Sequence, residues 1–155
     1  MKNKIKNFFQ LSSRDKKLFF EAFVTLGMMR FAILTTSFKR LVRELEQNLS
    51  EDERENKMLL NDTETATIIA VIRIIRKAAI YSPWKSECLV QSLAAQRLLK
   101  RRNLPGTIFL GVMKDTDKNE KMRAHAWTKC GDIFITGRHG HEKFTVVSVF
   151  SWSRK

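Results

Sequence analysis

Apolar residues return every three or four positions at Phe19, Phe23, Leu26, Phe31, Leu34, Phe38, Leu41 and Leu45, the stripe of a long helix. Ser12 can cap its start, and Asp15, three residues on, completes a capping-box pattern that also suits the positive end of the helix dipole. Residues 44–62 are then polar, mostly acidic and poor in apolar side chains, which predicts a solvated connection. A second helix follows from about Thr63, capped by Asp62 or Thr63, with Ile68, Ile69, Val71, Ile72, Ile74 and Ile75 almost all round it. Its β-branched content opposes helix, but its caps and length outweigh that. Ser82-Pro83 breaks the run, and a third helix extends to about Arg102, with Leu89, Leu93, Ala94 and Leu98 inward. Lys100, Arg101 and Arg102 suit its negative end, and Asn103 can take the left-handed closing position.

The pattern changes after Pro105-Gly106. Residues 107–113 are apolar on both alternating faces, as in a central strand covered on each side. A polar loop over 114–120 leads to strands at 123–130, 133–136 and 144–150, joined by a tight Gly131-Asp132 turn and then by residues 137–141. Helices followed by strands, with no internal repeat, predict an α+β fold in which an antiparallel meander lies behind the third helix. We divide the chain into a helical N-terminal extension, 1–80, and a core, 81–155. The length of 155 residues suits one compact unit better than two separate cores.

A formal net charge of +13 suits nucleic acid, an anionic membrane surface or an acidic protein partner, and does not choose among them. No secretory signal is evident, and with only two cysteines, Cys88 and Cys130, a reducing cytoplasm is the expected location. The most apolar stretch, 18–34, contains Glu21 and Arg30, which make membrane spanning costly, so no transmembrane segment is predicted.

Candidate chemistry rests on Cys88 and His125. A cysteine in the first turn of a helix meets free backbone N–H groups and a positive partial charge, both of which favour the nucleophilic thiolate. His125 sits in the strand 123–130 between two alanines, with Trp127 on its own face to shield the imidazole. Odd spacing puts Cys130 on the opposite face of a regular strand from His125, leaving Cys88 as the candidate nucleophile. His139 and His141 flank Gly140, but no second cluster completes a zinc set, so no metal is expected.

Several ordered segments resemble the lasso-peptide leader peptidases, which are transglutaminase-like cysteine proteases: Cys88-Leu89-Val90-Gln91-Ser92-Leu93, residues 98–105, Gly111-Val112 and Ala124-His125-Ala126-Trp127. The resemblance covers about residues 81–150. It implies a papain-like or transglutaminase-like core in which a helix presents Cys88 against an antiparallel sheet that supplies His125 and an acidic residue. It also implies that the protein removes the leader from a ribosomally made precursor, after which a separate cyclase forms the macrolactam. No cofactor is required.

The aspartate that the resemblance leads one to expect falls near Thr136-Gly137, where no carboxylate stands. Asp132, in the turn, is the preferred third member; Thr136 as a neutral acceptor, or a main-chain carbonyl, are the alternatives. Backbone N–H groups around Cys88 could bind the oxyanion, with Trp84 and Gln91 as side-chain candidates there and Trp127 and Thr136 as further candidates for the groove.

The implied partners are the precursor peptide, a small leader-recognition protein that the basic helices could dock, and the cyclase. Two other readings are a basic nucleic-acid-binding protein, for which no helix-turn-helix or aromatic RNA motif speaks, and a transglutaminase-like thiol acyltransferase in which an amine resolves the acyl-enzyme.

Overall fold

The computed structural model describes residues 12–43, 45–48, 60–115 and 121–154. Helix α1 spans Ser13–Thr35, α2 Phe38–Leu41, α3 Asp62–Tyr81 and α4 Cys88–Lys100. Strands β1 Glu46–Asn48, β2 Gly106–Asp115, β3 Lys121–Cys130, β4 Ile133–Thr136 and β5 Thr145–Trp152 form one antiparallel sheet in the order β1-β5-β2-β3-β4. The architecture is α+β, with the helices on one face of the sheet.

Local chemistry accounts for the helix ends. Ser12 Oγ accepts from Asp15 N at 3.1 Å and starts α1. The cap of α3 is Asn61 rather than Asp62 or Thr63: its side chain accepts from Glu64 N, and the Glu64 carboxylate accepts from Asn61 N. Asn103 closes α4 at φ 54°, the conformation expected of it.

One apolar cluster joins Ala22 and Leu26 of α1, Ile68, Val71 and Ile74 of α3, Leu98 and Leu99 of α4, and Ile108, Cys130 and Phe150 of the sheet. The division at residue 80 therefore falls between two helices, α3 and α4, that share one core. The α1 stripe differs from the expectation at two positions, since Phe31 and Leu34 face outward while Ala22, Leu26 and Met29 face inward. The helix also ends at Thr35, so Phe38 and Leu41 reach the core from α2.

The expected solvated connection at 44–62 contains β1, which pairs with β5; most of the rest, like residues 116–120 of the expected loop, lies outside the described residues. Strands β2, β3 and β4 follow one another as a meander, but β5 does not continue it. Residues 137–144 lead the chain back across the sheet so that β5 pairs with β2. Phe144 and His141, at the end of this crossover, pack against His125 and Trp127. Strand β2 is thereby central, with both faces covered.

Candidate active site

Cys88 is the first residue of α4 and is partly exposed. The loop that delivers it is tied by hydrogen bonds. Ser82 Oγ lies 2.8 Å from Ser86 Oγ and donates toward the carbonyls of Ala79 and Trp84 at 2.9 and 3.1 Å. Gln91 Nε2 donates to Ser86 O at 2.7 Å, so the side chain proposed for the oxyanion fastens the loop from the following helical turn.

Trp84 is wedged against α1. Its ring centroid lies 4.9 Å from that of Phe23, and a Cβ at Gly27 would fall 2.9 Å from the indole, so only glycine there lets the ring seat. Its Nε1 is buried and has no hydrogen-bond partner among the described residues. Such a donor is costly to leave unmade.

His125 pairs with Gly111 on β2. Its ring lies 5.9 Å from that of Trp127 and 5.1 Å from that of Phe144, and Trp127 stacks on Phe109 at 5.6 Å and 7°. A Cβ at Gly111 would meet Phe144 and Trp127 within 3 Å, so the glycine opens the space for this aromatic layer.

His125 Nε2 lies 2.8 Å from Gly137 O. A carbonyl only accepts, so Nε2 carries the proton in the neutral ring and Nδ1 keeps the lone pair of a base. Gly137 has φ 70°, and a Cβ on it would fall 2.3 Å from Ala126 O, so only glycine brings the main chain this close to β3.

The preferred acid is corrected by this geometry. Asp132 is exposed in the β3–β4 turn, beyond Cys130, about 16 Å along the strand from His125 at the usual rise per residue. The group that holds the His125 ring is the main-chain carbonyl of Gly137. Thr136 does not face the imidazole either: it is buried, its Oγ1 lies 3.2 Å from Ser92 Oγ on α4, and its register partner is Thr128.

The strand pairing also fixes the faces. Thr128 and Thr136 share the face that α4 covers, and His125, three residues from Thr128 along a regular strand, points to the other. Among the described residues no hydrogen bond joins Cys88 Sγ to His125. The two groups are tied instead to one point, the end of β4. Ser92, one turn beyond Cys88 on the same helical face, holds Thr136, and the adjacent Gly137 holds His125. Strand β4 pairs with β3 only from Thr128 to Cys130 and the Gly137 main chain packs against Ala126 and Trp127, so among the described residues the segment 121–125 has no strand partner on that side of β3.

Cys130 is fully buried, and its thiol is pushed up to about 11 by burial and the Glu64 charge, against a smaller opposing effect of Arg154. Ser92 and Gly111 stand in the segments that carry the resemblance but had no role assigned from the sequence, and Phe144 was not singled out at all.

The family model described as transglutaminase-like superfamily matches residues 28–149, from within α1 to within β5. No curated protein and no solved structure matches the chain.

Proposed function

We propose that this chain, because it belongs to the transglutaminase-like superfamily, uses Cys88 as a thiol nucleophile to remove the leader from a ribosomally made lasso-peptide precursor. Members of the superfamily are typically cysteine-dependent enzymes of the protease and acyltransferase type. The observation that carries the reading is the contrast between the two thiols: Cys88 opens a helix and is accessible, whereas Cys130 is buried in the core and pushed away from ionisation.

An extended precursor adds along the edge of β3 at 121–125, where main-chain pairing tolerates varied side chains. The mechanism requires the Cys88 thiol to reach His125 Nδ1 at that edge. The thiolate attacks the scissile carbonyl, and the oxyanion is held by N–H groups at the start of α4 and by the unpartnered Trp84 Nε1. The C–N bond breaks as the imidazolium gives its proton to the leaving amine. Water then hydrolyses the leader thioester, restoring the thiol. The freed amine is the group that a separate cyclase joins into the macrolactam, and a small leader-recognition protein presents the precursor. Location in the cytoplasm fits a free thiol.

Purified protein, leader-recognition protein and precursor peptide are incubated and leader release is followed by mass spectrometry. Cys130→Ala retains cleavage and Cys88→Ala loses it; cleavage by Cys88→Ala ends the proposal. The transglutaminase-like alternative is read in the same spectra, because an amine acceptor leaves the leader with the amine's mass in place of a free carboxylate.

A further inference from the structure

The inner face of α1 belongs to the core, but its outer face carries a second apolar row. Phe20, Val24, Met28, Phe31 and Leu34 recur at helical spacing, and Phe20, Phe31 and Leu34 are 69%, 68% and 66% exposed. The row runs about 21 Å along one convex helix. Isolated exposed apolar residues are ordinary, whereas an ordered row of five marks an interaction surface.

Charge decides what it fits. Between Ser13 and Leu41 the acids are Asp15 and Glu21, and both are turned into the protein by ion pairs, Asp15 with Arg73 at 2.9 Å and Glu21 with Arg101 and Arg102. Exposed Arg14 and Lys17 lie at one end of the row and exposed Lys39 and Arg40 at the other. The sequence ahead of α1 adds Lys2, Lys4 and Lys6 without an acid. An apolar strip bracketed by cations, on a chain of net charge +13, repels a second copy of itself and complements an anionic lipid surface. A flat surface also suits a convex helix that offers no groove.

We propose that α1 docks this face into the headgroup region of an anionic bilayer, lying in the membrane plane without crossing it. Length and composition alone would allow α1 to span, but Ala22 and Leu26 are fully buried in the core and Glu21 is bound to Arg101 and Arg102 just past α4, so the helix stays part of the fold. By helical spacing Gly27 falls on the same side of α1 as Phe20 and Phe31, so Trp84, which packs on Gly27 and Phe23, borders the strip and docking would bring the Cys88 loop beside the lipid. This inference does not depend on the catalytic reading.

The full chain is sedimented with vesicles of phosphatidylcholine alone and of phosphatidylcholine with phosphatidylglycerol, at low and high ionic strength. The expected result is salt-sensitive binding to the anionic vesicles that falls about tenfold or more in Phe20→Ser/Phe31→Ser, with an unchanged melting temperature because both rings are already exposed. Lys17→Glu/Lys39→Glu/Arg40→Glu should lose binding as well, which keeps the test open should the first variant fold poorly. Vesicle binding that ignores the phenylalanine changes would reduce the effect to bulk charge and overturn the proposal. So would failure to bind vesicles, whether light scattering then finds a dimer that the same variant dissolves or a plain monomer awaiting a protein partner.

Discussion

His125 Nε2 and Gly137 O lie 2.8 Å apart, so the imidazole is oriented by the main chain. A neutral carbonyl fixes tautomer and ring angle as a carboxylate does, but lends less support to the imidazolium that forms when the thiol proton moves.

Asp132→Asn should therefore cleave at the wild-type rate. Gly137→Ala should not. At φ 70° a side chain is strained, and its Cβ would fall 2.3 Å from Ala126 O, so we expect a loss of about 1–3 kcal/mol in stability and displacement of the ring. Denaturant melts measure the first effect, and nitrogen chemical shifts of His125, which report whether Nε2 keeps its proton, measure the second.

Thiol labelling separates the two cysteines. At pH 8 a thiol pushed up to about 11 is ionised to about one part in a thousand, and Cys130 is also closed to reagent. Iodoacetamide should modify native Cys88 rapidly and Cys130 only on unfolding, as peptide mapping after timed quenching would reveal. Equal rates in the folded protein would contradict the contrast on which the nucleophile assignment rests.

The Ser92–Thr136 pair is buried between α4 and β4, near both candidate groups. Ser92→Ala strands the Thr136 hydroxyl and should destabilise by about 1–3 kcal/mol, whereas Ser92→Ala/Thr136→Val removes both partners and should recover much of that loss. A complete double-mutant cycle by urea unfolding tests this, and additive losses would mean that the two hydroxyls act independently.

Acid should loosen the grip of α1 on α4. Burial pulls the Glu21 carboxyl upward, but hydrogen bonds and charge from Arg102 and Arg101 outweigh it and hold the group below its ordinary 4.5. A folded-state value lower than the unfolded one gives stability that is present above pH 4.5 and is lost as pH falls below it. Glu21→Gln should be less stable than wild type at neutral pH, with the gap narrowing toward pH 3; melting curves across that range would show it.

Helix starts and ends were readable because their signals are local: a hydroxyl three residues before a free N–H, or an asparagine at positive φ. The Asn61 cap was misplaced by a residue or two because Asn, Asp and Thr in succession can all serve. Strand β1 was hidden in a polar stretch, since three residues at a sheet edge need no apolar alternation when the partner strand supplies the pairing. The outward row on α1 was folded into a single stripe because Phe19 and Phe20 differ by only 100° around a helix, and which one turns inward depends on Trp84 and α3. Cys88 and His125 stood out by residue type, while the Gly137 carbonyl did not, since any residue has one and only the bend of the crossover brings this one to the ring.

The pairing of β1 with β5 joins residues 46–48 to residues 149–151, a span of about a hundred positions. During synthesis β1 must wait for residues 149–151 before it finds its neighbour, and β5 must also arrive to flank β2. Cys88 thus stands in the growing chain well before the β1–β5 and β2–β5 pairings can form.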